Sequence, residues 1–174
     1  MNHIFLGMLF IFLDFNLNLG SHTIGLIPDV AGYILLMKGL DTMACESESF
    51  TKAKPWALSM AIYTGILYVM DLFALPAAWG FVNWLLGLGS TVISLVISHR
   101  IICGIQDIEQ RTFRDLQSQK LKTMWTAMAV IQGLCYLTAW IPLVGTMGAL
   151  AAFILGICYL VAFNKTKNLY LEMP

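Results

Sequence analysis

Long apolar runs separated by short polar or proline-bearing connections set the pattern of this chain. Four runs, residues 56–75, 80–98, 124–141 and 144–163, are each long enough for a helix across a bilayer, which takes about 20 residues. Their apolar positions are not confined to one helical face, so lipid rather than water is their expected solvent. The connections LPAAWG and IPLVG carry Pro76 and Pro142, where the missing N–H and the ring end a helix and favour a turn. The pattern predicts two transmembrane hairpins.

Residues 3–19 and 23–44 supply a third, shorter pair, HIFLGMLFIFLDFNLNL and TIGLIPDVAGYILLMKGL, each interrupted by polar residues. The expectation is an all-α polytopic bundle of about six membrane segments in three hairpins, one domain over 1–174. Two full crossings or a re-entrant pair within 3–44 fit equally, since both return Lys38 to the same side.

Charge adds orientation. All ten Lys and Arg residues fall on one side of this scheme, from Lys38, Lys52 and Lys54 through Arg100 to Lys122 and on to Lys165 and Lys167, while the short turns opposite carry none. The positive-inside rule then puts both termini in the cytoplasm and the chain in the inner cell membrane. Trp56, Trp79, Trp125 and Trp140 near segment ends suit the headgroup level, with Trp84 a little inside.

Between the second and third hairpins, Ile101, Ile105, Ile108, Phe113 and Leu116 recur at near-helical spacing, and Asp107, Arg111 and Asp115 stand four apart. This predicts a cytoplasmic amphipathic helix over 99–124. It either lies on the membrane surface, continues the fourth segment, or docks a partner protein. Gly145, Gly148, Ala149, Ala152 and Gly156 would let the sixth helix approach a neighbour closely. FLDFNL, VMDLFALP and LTAWIP suggest a threefold hairpin repeat, on a match of a few residues.

Composition agrees: 59% hydrophobic, 11% charged, zero formal net charge and a mean hydropathy of +0.76. Nothing in that balance suggests nucleic acid as a partner; the expected surroundings are the lipid bilayer and a membrane-protein partner or second copy. Cys45, Cys103, Cys135 and Cys158 lack metal-site spacing and read as apolar filler. MNHIFLGML lacks the basic n-region of a secretory signal, so the first segment is expected to stay.

Seven acids lie among the basic residues; Asp14, Asp29 and Asp71 do not. A helix starting near residue 2 would carry Asp14 roughly 18 Å into the membrane, and counting back from Lys38 puts Asp29 at roughly 13 Å. A carboxylate at such depth costs at least about 2.5 kcal/mol, and no Lys or Arg is expected in the spans to balance it. Protonation, hydrogen bonds, a bound cation or water must do so. Asp14, Asn16, Asn18, Asp29 and Asp71 are therefore the candidate ligand- or cation-binding residues.

On a helix Asn16 would point nearly opposite Asp14 and Asn18. Either it faces another neighbour, or the backbone leaves helical form, which Gly20, Gly25 and Pro28 make plausible. Bland readings stand beside these: Asp29 after Pro28 suits a helix start, Asp71 lies near headgroups, and His22 belongs to an outer loop. No catalytic signature occurs. Ser90 in GLGS has no base, and zinc-protease, phosphate-loop and haem patterns are absent, so neither metal nor cofactor is expected.

The run FLDFNLNLGSHTIGLIPDVAGYILLMKGL resembles the opening of uncharacterised small integral membrane proteins of clostridia and related Gram-positive bacteria, over residues 9–40. The resemblance implies a bacterial cytoplasmic membrane and no activity. The functional expectation from the residues is a multi-pass protein handling a cation, proton or small cationic solute through residues 14–29. A non-catalytic scaffold or accessory subunit is the alternative. So is the substrate-binding subunit of an energy-coupling-factor importer, although IFLGMLFIFL lacks the Ala-x-x-x-Ala pattern usual there.

Overall fold

The computed structural model describes residues 1–12, 16–19, 22–25, 29–72, 80–138 and 142–172; residues 16–19, 22–25, 71–72, 80–84, 142–146 and 149 are described through their backbone. These residues form six helices and one β-ribbon: α1 Asn2–Phe12, β1 Asn16–Leu19, β2 His22–Gly25, α2 Asp29–Met43, α3 Glu48–Leu72, α4 Gly80–Thr112, α5 Ser118–Leu137 and α6 Pro142–Leu171. Each helix packs on the next in sequence, and α6 returns to α1, closing a ring. Two stretches, Leu85–Thr112 and Leu150–Leu171, are long and apolar enough to cross a membrane.

The chain is helical as expected, with six helices among the described residues, and residues 16–19 and 22–25 add a short β-ribbon between α1 and α2. α1 is described over Asn2–Phe12, 11 residues or about 16 Å of helix. β1 and β2 pair antiparallel, Asn16 with Gly25, Asn18 with Thr23 and Leu19 with His22, and β2 lies against α3. The cause is local. Asn-Leu-Asn-Leu alternates with the two-residue period of a strand, and Gly20-Ser21 is a two-residue spacer of hairpin type. α2 begins at Asp29, as the Pro28-Asp29 pair suggested, with the carboxylate in the first turn.

α1 and α2 approach through small residues. A Cβ at Gly7 would lie 2.7 Å from the Gly32 carbonyl oxygen, and one at Gly39 would lie 2.6 Å from the Ile4 amide nitrogen. Glycine is needed at both points because backbone meets backbone. The small residues of α6 also meet neighbours: Gly148 abuts the Cys135 sulfur of α5, and Gly156 abuts the Phe12 ring of α1. All four cysteines are free thiols.

The core concentrates at the basic end. Phe50, Ile101, Ile105, Ile108, Leu121 and Phe163 are all buried there, contributed by four different helices. Polar contacts lock the same end. Ser49 Oγ donates to Asp107 Oδ2 at 3.1 Å, Ser47 donates to the same carboxylate, and Arg111 pairs with Glu46 while Lys54 pairs with Asp41. The Asp107, Arg111 and Asp115 series thus reaches across to the 44–49 turn and the next loop rather than pairing along one helix.

Of the alternatives for residues 99–124, the structure takes continuation of the fourth segment, as far as Thr112. α4 continues unbroken to Thr112, and the chain then turns through left-handed Phe113 (φ 53°) and Gln117 (φ 60°) into α5. Carboxylates serve the new helix: Asp115 accepts the Gln117 N–H at 2.8 Å, and Glu109 accepts the Ser118 N–H at 3.0 Å. Thr166 of α6 donates to the Leu116 carbonyl at 2.8 Å, in the interior. Ile101, Ile105, Ile108 and Leu116 are buried as their spacing implied, but Phe113 leaves the helix and is 96% exposed.

Away from the basic end the surface is apolar. Leu58, Ile62, Ile66 and Val69 run outward along α3, Val130, Leu134 and Leu137 along α5, and Leu150, Ile154, Ile157 and Val161 along α6, all exposed.

Candidate functional site

Helical periodicity builds the site. On α3, Met60, Tyr63, Thr64 and Leu67 follow the i, i+3, i+4, i+7 rule, and on α4 so do Gly87, Ser90, Thr91 and Ser94, with Leu95 beside them. α2 adds Asp29 and Tyr33, α5 adds Met128 and Gln132, each pair one turn apart, and Ile11 and Phe12 end α1. These faces line an open cavity of about 440 Å³ among α1 to α5.

Its depth is consistent on three helices. Met60, Ser94 and Met128 each stand six residues, about 9 Å of helix, from a basic residue: Lys54, Arg100 and Lys122 respectively. Leu67 and Gly87 lie 13 residues, about 20 Å, from Lys54 and Arg100. Below the cavity the Trp125 indole N–H donates to the Leu95 carbonyl at 3.1 Å, and the His99 ring packs on Trp125 with centroids 4.8 Å apart. Both rings lie between the cavity residues Ser94 and Met128 and the basic residues Arg100 and Lys122 along their helices.

The lining is apolar with convergent polar groups, the usual composition of a small-molecule site. Its hydroxyls are anchored to their own helices: Ser90 and Thr91 each donate to the Gly87 carbonyl at 2.9 Å, and Thr64 donates to the Met60 carbonyl at 2.9 Å. Thr91 Oγ1 is also 2.9 Å from the Tyr136 hydroxyl, which acts as donor in that pair when the Thr91 hydrogen serves Gly87. Tyr33, buried, is hydrogen-bonded to Ser94. Among the described lining residues Asp29 is the one carboxylate, and there is no Lys, Arg or His. Such a site suits a cation or a hydrogen-bond donor and disfavours anions.

Of the residues expected from sequence, Asp29 lines the cavity. Asn16 and Asn18 lie on β1, two residues apart, and so occupy positions on one face of the ribbon rather than opposing faces of a helix. Asp71 falls one turn beyond Leu67 near the end of α3, and Asp14 lies outside the described residues. His22 is in β2, opposite Leu19. The residues that the sequence reading passed over are Tyr33, Tyr63, Thr64, Thr91, Ser94 and Gln132. Their signal was present as uncharged polar residues at i, i+3, i+4 spacing inside otherwise apolar runs.

No family model, curated protein or solved structure matches this chain. Its function is therefore argued from the site.

Proposed function

We propose that this is a multi-pass membrane protein of the bacterial cytoplasmic membrane that binds and handles a small cationic solute in the cavity among α1 to α5. The observation that carries the reading is one carboxylate, Asp29, in a mid-depth cavity whose other described lining residues carry no base. A carboxylate in that cavity attracts a cation more strongly than it would in water, where charge is screened. The exposed apolar stripes of α3, α5 and α6 support lipid contact for more helices than the two that are long and apolar enough to span. The one-sided Lys and Arg distribution supports cytoplasmic termini. Asp14, Asn16, Asn18 and Asp71 are the further polar residues that the sequence offers for the same role.

The test is a binding panel of inorganic and organic monovalent cations on the purified protein in nanodiscs. At least one cation binds, and Asp29→Asn removes that binding. A wild-type protein that binds no cation overturns the reading. In the second reading, a scaffold or accessory subunit, Phe113, 96% exposed at the far end of α4, anchors a partner. Co-purification lost in Phe113→Ala, with no cation bound by wild type, favours it. The importer-subunit reading uses the same cavity and separates from the first by capture of a coupling subunit.

A further inference from the structure

The cavity's chemistry narrows the class of cation, granting the cationic-solute reading above. Its volume, about 440 Å³, is that of a small organic molecule and far exceeds a dehydrated metal ion. Divalent ions of the hard class want six or more oxygens close in, and among the described residues no three His, Cys, Asp or Glu side chains come together.

The polar wall then selects the form of the organic cation. The hydrogens of Ser90 and Thr64 are directed to carbonyls of their own helices, so a ligand meets oxygen lone pairs at these positions, while Thr91 already accepts from Tyr136. An ionised carboxylate likewise only accepts. A ligand that brings N–H donors satisfies these acceptors, whereas a quaternary ammonium has none to offer and leaves them unpaired. A carboxylate-bearing ligand would find no cationic side chain among the described lining residues. The rest of the wall, including Phe12, Met60, Leu67 and Met128, offers apolar and aromatic surface suited to a hydrocarbon body and to an adjacent ammonium.

We infer that the cavity takes a small protonated primary amine with an apolar body, its N–H groups directed to Asp29 and the hydroxyl oxygens of α3 and α4 and its body laid between Phe12 and Leu67. The ligand class follows from the acceptors at Asp29, Ser90 and Thr64, the apolar remainder of the wall, and the lack of Lys, Arg and His among the described lining residues.

Calorimetry on the full chain in nanodiscs tests it with butylammonium, tetramethylammonium and potassium chlorides and with sodium butyrate. Butylammonium binds about tenfold or more tighter than tetramethylammonium, the scale of one charged hydrogen bond, and potassium and butyrate give no heat. Asp29→Asn loses butylammonium binding. Thr64→Val, which keeps shape and removes a lone pair, narrows the gap between the two ammonium ions with helical content and elution volume unchanged. If Asp29→Asn does not fold, the wild-type ratio and its narrowing in Thr64→Val and Ser90→Ala decide. Tetramethylammonium or potassium binding as tightly as butylammonium overturns the amine class while leaving a cation site in place. No binding by any cation overturns the class and the functional reading together.

Discussion

The same helices behave differently at their two levels. At the basic end α2, α3, α4 and α6 bring large side chains into a packed core and tie it with Asp107, Glu46, Asp41 and Thr166. One helical stretch away α2, α3 and α4, with α1 and α5, line a 440 Å³ cavity whose polar groups bond mainly to their own helices. Close packing is the ordinary state of a protein interior, so an open cavity beside a filled core sets a packed level apart from a hollow one, and the proposed function puts binding at the hollow one. The contrast also explains the distribution of charge. At the basic end acids meet Lys, Arg and Ser, whereas Asp29 is placed with Tyr33, hydroxyls and apolar side chains.

Substitutions at the two levels break or sharpen that division. The largest expected effect is at Phe50, fully buried against α4: Phe50→Ala removes its ring from the core and costs about 3–5 kcal/mol of stability, seen as a much lower melting temperature in detergent. Gly39→Leu follows, because a side chain there collides with the Ile4 backbone. A loss of about 1–3 kcal/mol or more in the same melt, or failure to accumulate folded protein, is expected. Thr166→Val removes the buried hydrogen bond to the Leu116 carbonyl and should lower stability by about 1–2 kcal/mol, with the 113–117 loop exchanging amide hydrogens faster. Ser90→Ala in the cavity should change the melt by only about 0.5 kcal/mol, since the lost bond is to its own helix, yet weaken cation binding. Smallest is Lys52→Ala, whose 3.1 Å pair with Glu48 is exposed on both sides and should be close to neutral for melting and binding alike. A cavity substitution that destabilises as strongly as Phe50→Ala would erase the division of labour.

The sequence carried the helical pattern and much of its physical logic. Long apolar runs anticipated α3 to α6 with their ends displaced, because α3 starts at Glu48 ahead of Pro55 and α4 and α6 extend past the apolar stretch into polar residues. Those extensions pack on each other at the basic end, which hydropathy does not register. The ribbon was legible in Asn-Leu-Asn-Leu and Gly20-Ser21 but was overridden by the length of apolar sequence around it. Asp29 stood out as a charge in an apolar run. Tyr33, Thr64, Thr91 and Gln132 did not, since each alone is tolerated on an apolar helix and only the ring of helices brings them to one chamber.

The central claim is that the chamber is open to small cations and that Asp29 selects them. It is tested most directly by thiol labelling of Ser90→Cys in a protein whose Cys45, Cys103, Cys135 and Cys158 are alanine. The measurement compares the rates for an aminoethyl and a sulfonatoethyl methanethiosulfonate, with and without Asp29→Asn. The account predicts that the cationic reagent is strongly favoured and that Asp29→Asn lowers the preference by about tenfold. A thiol at position 90 that neither reagent reaches, or a preference unchanged by Asp29→Asn, would contradict it.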